Sequence, residues 1–233
     1  MRIPVDSAAC VDNGIVPKEL AHLIVDEITW EIKSNTLYKN DLAFLDFLAN
    51  NNWERPVYFT NPSVVEDVFS APEFVYLSGF TYKLMPIKTD KVLDELGAVD
   101  IETTYDILVN KAKYGNLKNV IFDRESARNS SIVKQSFKRL ASALMEEGKV
   151  QKAVEVADKC FEEFPPEKLP LEYYAWPFIE IYYRGGEVEK AINISRHLVE
   201  RYSKEIDYYI SYPTSNVNAF DTEIRQSMDL LRL

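Results

Sequence analysis

The chain has 233 residues, enough for one large domain or two small ones whose cores need no disulfide or metal staple. With 27 Lys and Arg against 37 Asp and Glu, its formal net charge is −10, which argues against nucleic-acid backbone or anionic lipid as a partner. A 46% share of apolar residues, 12% aromatics, only 7 Gly and 11 Pro exclude collagen-like, linker-like and disordered classes.

Met1 to Val16 has no apolar run suited to a signal peptide, since Asp6, Asp12 and Asn13 interrupt it. No apolar stretch is long enough to predict a membrane span. Ile28 to Ile32 alternates apolar and polar residues and predicts a strand. Asn40 and Asp41 are placed to cap a helix through Leu42, Phe44, Leu45, Phe47 and Leu48, stopped by Asn50, Asn51 and Asn52. Arg55 to Thr60 reads as a second strand with Pro56 near its start. The helix between these strands is long enough for a right-handed crossover, so the two are expected to be parallel. Residues 61–75 read as a short helix between Pro62 and Pro72, and Phe80 to Met85 as a third strand. A helix over Thr103 to Lys113 follows, with Tyr105, Leu108, Val109 and Ala112 on one face and Gly115 and Asn116 ending it.

Beyond residue 120 the pattern becomes helical and repeats. Leu140, Ala141, Leu144, Gly148, Ala153, Ala157, Cys160 and Pro165 recur 38 residues later as Phe178, Ile179, Tyr182, Gly186, Ala191, Ser195, Leu198 and Ser203. Large and small residues on one helix, a glycine turn, then small residues on the next describe a tightly packed helical hairpin. The offsets match the tetratricopeptide pattern, whose usual period is about 34 residues. The Pro165 to Pro170 connection accounts for the longer spacing. Because about three repeats are usually needed for stability, a terminal helix over residues 216–233 is expected to cap one end, and the N-terminal domain the other. The expected architecture is therefore α+β and mostly α: a small α/β domain over residues 1–120, then tetratricopeptide-like antiparallel helical hairpins over residues 121–233.

The sequence carries no catalytic constellation. His22 and His197 stand apart, without a metal-binding spacing, and no metal or cofactor is expected. There is no G-x-S-x-G elbow and no glycine-rich phosphate loop. Adjacent acids such as Glu146-Glu147 and Glu162-Glu163 point to different helix faces and read as solvated surface. Cys10 and Cys160 are expected as free thiols. Binding is better supported. In tetratricopeptide arrays the first helix of each hairpin lines a concave groove. Carried onto this sequence, its positions are Gln135, Lys138, Ser142 and Met145, then Tyr173, Trp176, Glu180 and Tyr183. Aromatic faces beside polar groups suit a peptide or a sugar. The competing reading is that Tyr173, Tyr174 and Trp176 only pack, as Tyr202, Tyr208, Tyr209 and Tyr212 are expected to do against the terminal helix.

Four segments, Leu37 to Asp46, Asn52 to Phe59, Gly79 to Ile87 and Tyr105 to Gly115, are distinctive in this order ahead of the hairpins. They resemble the C-terminal soluble region of large multi-spanning bacterial membrane proteins, common in Bacteroidetes and related to the transmembrane protein O-mannosyltransferases. The resemblance covers roughly residues 3–210. It implies that the chain is a fragment, with Met1 native or added, of a protein carrying a membrane-embedded glycosyltransferase-like region that uses a lipid-linked sugar. It also implies a place on the periplasmic side of the inner membrane, without insertion of this chain itself. The catalytic acid of such enzymes lies in the membrane region, so no catalytic residue carries over. Asn52-Trp53-Glu54-Arg55-Pro56, the most characteristic segment, reads either as a docking or acceptor contact or as a helix-to-strand turn with Trp53 buried and Arg55 paired to an acid. The function so implied is a non-catalytic accessory domain that positions polypeptide partners, protein acceptors or a glycan acceptor. The alternatives are a stand-alone interaction scaffold unrelated to glycosylation, or a soluble enzyme built on the α/β half.

Overall fold

The computed structural model describes residues 1–92, 96–115, 120–169, 171–212 and 220–232. The chain divides into two compact units, Met1–Ala112 and Lys113–Leu233.

The N-terminal unit is built from short elements. β1 (Arg2–Pro4) pairs antiparallel with β2 (Glu27–Thr29), placing Ile3 opposite Ile28. Between them lies α1 (Ser7–Asp12), capped by Asp6, whose carboxylate accepts from the Ala9 N–H. β2 is shorter than the alternation at 28–32 predicts. Trp30 turns inward and its indole donates to Val68 O at 2.6 Å, while the Lys33 N–H donates to Asp67 O at 2.8 Å. The Trp30 backbone still pairs with Met1, and beyond it Asp67 O takes the Lys33 and Ser34 N–H groups.

α2 (Lys39–Asn50) starts earlier than Asn40-Asp41 predicts. Asp41 acts from the third helical position, accepting from the Tyr38 N–H at 2.8 Å. β3 (Tyr58–Phe59), β4 (Val75–Ser78), β5 (Thr81–Leu84) and β6 (Ala98–Val99) form a second sheet in the order β3-β5-β4-β6. Only β4 and β6 run parallel. The expected parallel crossover is therefore absent. β2 and β3 belong to different sheets, because β1 occupies the edge of β2 and β3 pairs with β5. The expected helix over 61–75 is also absent. Two 3-10 turns stand there, Pro62–Val65 and Pro72–Phe74, and the chain then enters β4. β4 is buried at every residue, so it lacks the alternation by which a strand is read.

α3 (Ile101–Tyr105) is capped by Asp100 and continues as a π-helical turn over Asp106–Lys111, ending before Gly115. Asn116, assigned to its end from sequence, lies outside the described residues. Thr104 is fully buried; its hydroxyl donates to Leu77 O at 2.8 Å and accepts from the Gly79 N–H at 3.1 Å, tying α3 to the β4–β5 hairpin. One core, including Ile28, Trp30, Leu48, Phe59, Phe69, Leu77 and Leu84, joins both sheets and α2. Its aromatic centre is Phe69, whose ring lies 4.9 Å from Trp30 and 6.1 Å from Phe59.

The C-terminal unit contains two helical hairpins, α4 (Arg124–Glu146) with α5 (Val150–Glu163), then α6 (Trp176–Arg184) with α7 (Val188–Ile210). α5 and α4 both pack on α6. The repeat read from sequence is visible in the backbone at the turns. The N–H groups of Glu147, Gly148, Lys149 and Ala153 donate to the carbonyls of Ala143, Met145, Leu144 and Lys149. Those of Gly185, Gly186, Glu187 and Ala191 donate to Ile181, Tyr183, Tyr182 and Glu187, the same pattern 38 residues on, from Gly148 to Gly186. Both glycines take positive φ, 72° and 85°, where a side chain is strained.

The repeated positions form the core: Leu140, Ala141, Leu144, Ala153, Ala157, Cys160 and Phe178 are wholly buried, and Tyr182, Ala191 and Leu198 nearly so. The hairpins differ in length. α4 and α7 have 23 residues each, against 14 for α5 and 9 for α6. α6 is short because a 3-10 turn over Tyr173–Ala175 precedes it and Pro177 lies in its first turn. Of the expected terminal helix, α8 (Asp221–Arg232) is described and packs on α7; residues 216–219 and 233 lie outside the described residues.

Candidate functional site

The expected groove positions fall on α4, on the 3-10 turn before α6, and on α6. The structure brings part of the set together. Gln135 Nε2 donates to the Tyr173 hydroxyl at 2.9 Å, so the two hairpins meet at the predicted surface. Lys138 and Ser142 lie half-buried farther along α4. Met145, counted with them from sequence, is buried and presents nothing to a ligand, because the α4–α5 turn begins there.

On α6, Trp176, Glu180 and Tyr183 share one face at helical spacing. Glu180 pairs with Arg184 at 3.2 Å. Tyr173 is 57% exposed and Tyr183 67%, so neither is packing. Their neighbour Tyr174 is core, at 1% exposure. Trp176 is half-buried, and its indole N–H is shielded from solvent without an acceptor among the described residues. A shielded donor without a partner loses about 1–3 kcal/mol of solvation, which a ligand carbonyl or hydroxyl would return only once the groups covering it move aside. The face therefore offers exposed rings and a mixed polar border, with the Trp176 donor covered.

A half-exposed polar cluster around the buried Tyr182 joins the hairpins. Asp158 of α5 accepts from the Tyr182 hydroxyl at 2.8 Å and from Lys190 Nζ at 2.8 Å. Burial, with Asp158 beside it, pushes the Tyr182 phenol well above its usual range. The hydrogen bond to Asp158 raises Lys190. Sequence reading placed Tyr182 in the repeat but passed over Asp158 and Lys190, because each alone looks like a helix-surface group. Of the tyrosines expected to pack at this end, Tyr208 is instead 57% exposed. Tyr202 is buried, and the rings of Tyr209 and Tyr212 lie 5.1 and 5.3 Å from Phe220, just before α8.

In the N-terminal unit, the Asn52–Arg55 segment is a helix-to-strand turn. Asn52 and Trp53 take left-handed backbone, φ 46° and 58°. The turn is held by burial of Trp53, by its indole donating to Pro4 O at 2.8 Å, and by Asn13 donating to Trp53 O at 3.0 Å. Arg55, expected to pair with an acid, is exposed and has no ion pair among the described residues. A cleft near Lys33, Phe59, Glu66 and Asp67 measures about 120 Å³, small beside the roughly 300–1,000 Å³ of typical ligand sites. Cys10 and Cys160 are free and buried, and burial raises both thiols, to about 11 and about 12. Among the described residues no group of three or more His, Cys, Asp or Glu is placed to hold a metal ion, and no helix is long and apolar enough to cross a membrane.

Residues 1–103 match the family model described as TMEM260-associated domain 2. The match falls within the N-terminal unit and links that unit to TMEM260-like proteins as an associated domain. No curated protein and no solved structure matches the chain.

Proposed function

We propose that this chain is a non-catalytic accessory region of a TMEM260-like membrane protein related to the O-mannosyltransferases, standing on the periplasmic side, and that its hairpins act as a tetratricopeptide-like platform for polypeptide partners or acceptors. The match over residues 1–103 supports the accessory role. The binding surface is Gln135, Lys138, Ser142, Tyr173, Trp176, Glu180 and Tyr183. The observation that carries it is the face of α6, where Trp176 holds a shielded, unpartnered N–H and Tyr183, two turns on, an exposed ring. An extended polypeptide supplies both needs, a carbonyl for the donor and apolar side chains for the rings. A sugar hydroxyl meets the first in the same way.

The test is capture from periplasmic extract by the purified chain beside a Trp176→Ala, Tyr183→Ala double variant of unchanged far-UV circular dichroism. The captured polypeptide is identified and its affinity remeasured with purified material. A loss of at least tenfold in the variant supports the platform; equal affinity removes this face from consideration.

A further inference from the structure

Lys134 is 2% exposed although it is a lysine on a helix of a soluble unit. A buried ammonium is ordinarily held by a hydrogen bond or an ion pair. The other buried lysine, Lys83, follows that rule, donating to Gly14 O at 3.0 Å. Lys134 does not. Its ammonium lies 4.6 Å from the centre of the Tyr174 ring, and it has neither a hydrogen bond nor an ion pair among the described residues.

Lys134 lines a cavity of about 430 Å³, together with Arg128 and Ser131 of α4, Glu172 of the connection before α6, and Arg201 of α7. Three cations and one carboxylate line it, and two of the cations, Arg201 and Arg128, are also paired with Glu205 and Glu125 from outside the lining. Arg201 is already oriented, donating to Leu171 O and to Glu205 at 2.9 Å. Arg128 is held only by Glu125 at 3.8 Å on an exposed surface. Glu172 acts on Lys134 across the cavity without an ion pair, and is the group an incoming anion would have to avoid. Burial pushes the Lys134 ammonium below its usual range, and Glu172 offsets part of that shift. In a chain of net charge −10, a cavity lined by three cations, one of them an unbonded lysine ammonium, is a local exception.

We propose that this cavity is an oxyanion site, taking a carboxylate or phosphate group against Lys134, Arg201 and Arg128, with the Ser131 hydroxyl as a further donor. Arginine forks suit either group, and the ammonium adds a point charge that needs no fixed geometry. The site goes beyond the aromatic face, shares no residue with it, and stands or falls separately.

The full chain is titrated with sodium phosphate or with sodium acetate, chloride holding ionic strength constant, while Tm and backbone amide shifts are followed. A saturable rise in Tm, with shifts centred on residues 128–134, 172 and 201, is expected. Response to phosphate alone assigns a phosphate ligand; response to both assigns a carboxylate-sized one. Lys134→Met, which keeps the apolar stem, and Arg128→Ala, at an exposed position, should each weaken binding at least tenfold while remaining folded in chloride. A Tm unmoved by both anions, or an equal response in wild type and both variants, overturns the proposal. Either result leaves the Trp176 and Tyr183 measurements to decide the aromatic face.

Discussion

In the N-terminal unit the longest described strand has four residues, whereas in the C-terminal unit two helices run 23 residues each. The first unit assembles its core from distant pieces: Trp30 reaches Val68, Trp53 reaches Pro4, and Thr104 bridges Leu77 and Gly79. The second assembles its core from neighbours along two helical hairpins whose turns repeat bond for bond. Hydrophobic burial stabilises both, and they differ in how far along the chain each residue finds its partners. Local partners leave a period in the sequence; distant partners leave almost none.

The largest effect that tests this contrast is truncation at two buried rings, Phe69 in the N-terminal core and Phe137 of α4, whose ring lies 5.7 Å from Tyr114 and 6.2 Å from Phe164. Phe69→Ala and Phe137→Ala should each lose about 3–5 kcal/mol in chemical denaturation, since burial alone sets the scale. A much smaller loss at Phe69 would show that the non-local core is loosely packed. Next, Thr104→Val should cost about 1–3 kcal/mol, because its isostere leaves the buried Gly79 N–H without its acceptor, while Leu77 O keeps only its bond from the Asp100 N–H. Gly148→Ala and Gly186→Ala should cost about 1–2 kcal/mol each, from the left-handed backbone at both turns. Similar losses at the two sites sharpen the repeat, and a large loss at one alone breaks it.

The smallest effect is a pH dependence at Lys134. A lysine whose folded pKa is depressed binds fewer protons folded than unfolded, so its penalty is full below the folded pKa and disappears as pH rises to the unfolded value of about 10.4. Lys134→Met should therefore be more stable than wild type at neutral pH, with the difference shrinking over the alkaline window between those two values. Parallel stability–pH curves for the two proteins would contradict the depressed pKa.

The same contrast explains which features were legible. The hairpin repeat was readable because Leu140, Ala153 and Gly148 recur at fixed spacing and all act within one hairpin. The Thr81–Leu84 strand was readable because it alternates. β1 and β4 were not: β1 has three residues, and β4 is buried on both faces, so neither shows a period. The expected parallel pairing failed because strand partners are chosen by the whole sheet, and β1 and β5 took the positions that β2 and β3 would have used for each other. Of the candidate surface, helical spacing placed Trp176, Glu180 and Tyr183 on one face, whereas Met145 is buried. Lys134 was invisible, since a lysine on an amphipathic helix reads as solvated until Tyr174, from a different segment, covers it.

The central claim is that the α6 face meets a polypeptide. It is tested most directly by placing a photo-crosslinking phenylalanine analogue at Tyr183, with Tyr208, an exposed tyrosine on α7, as the control position. Irradiation in periplasmic extract should yield a discrete polypeptide adduct from position 183, absent from position 208 and suppressed by Trp176→Ala. Adducts of equal yield from both positions, or none from position 183, would contradict it.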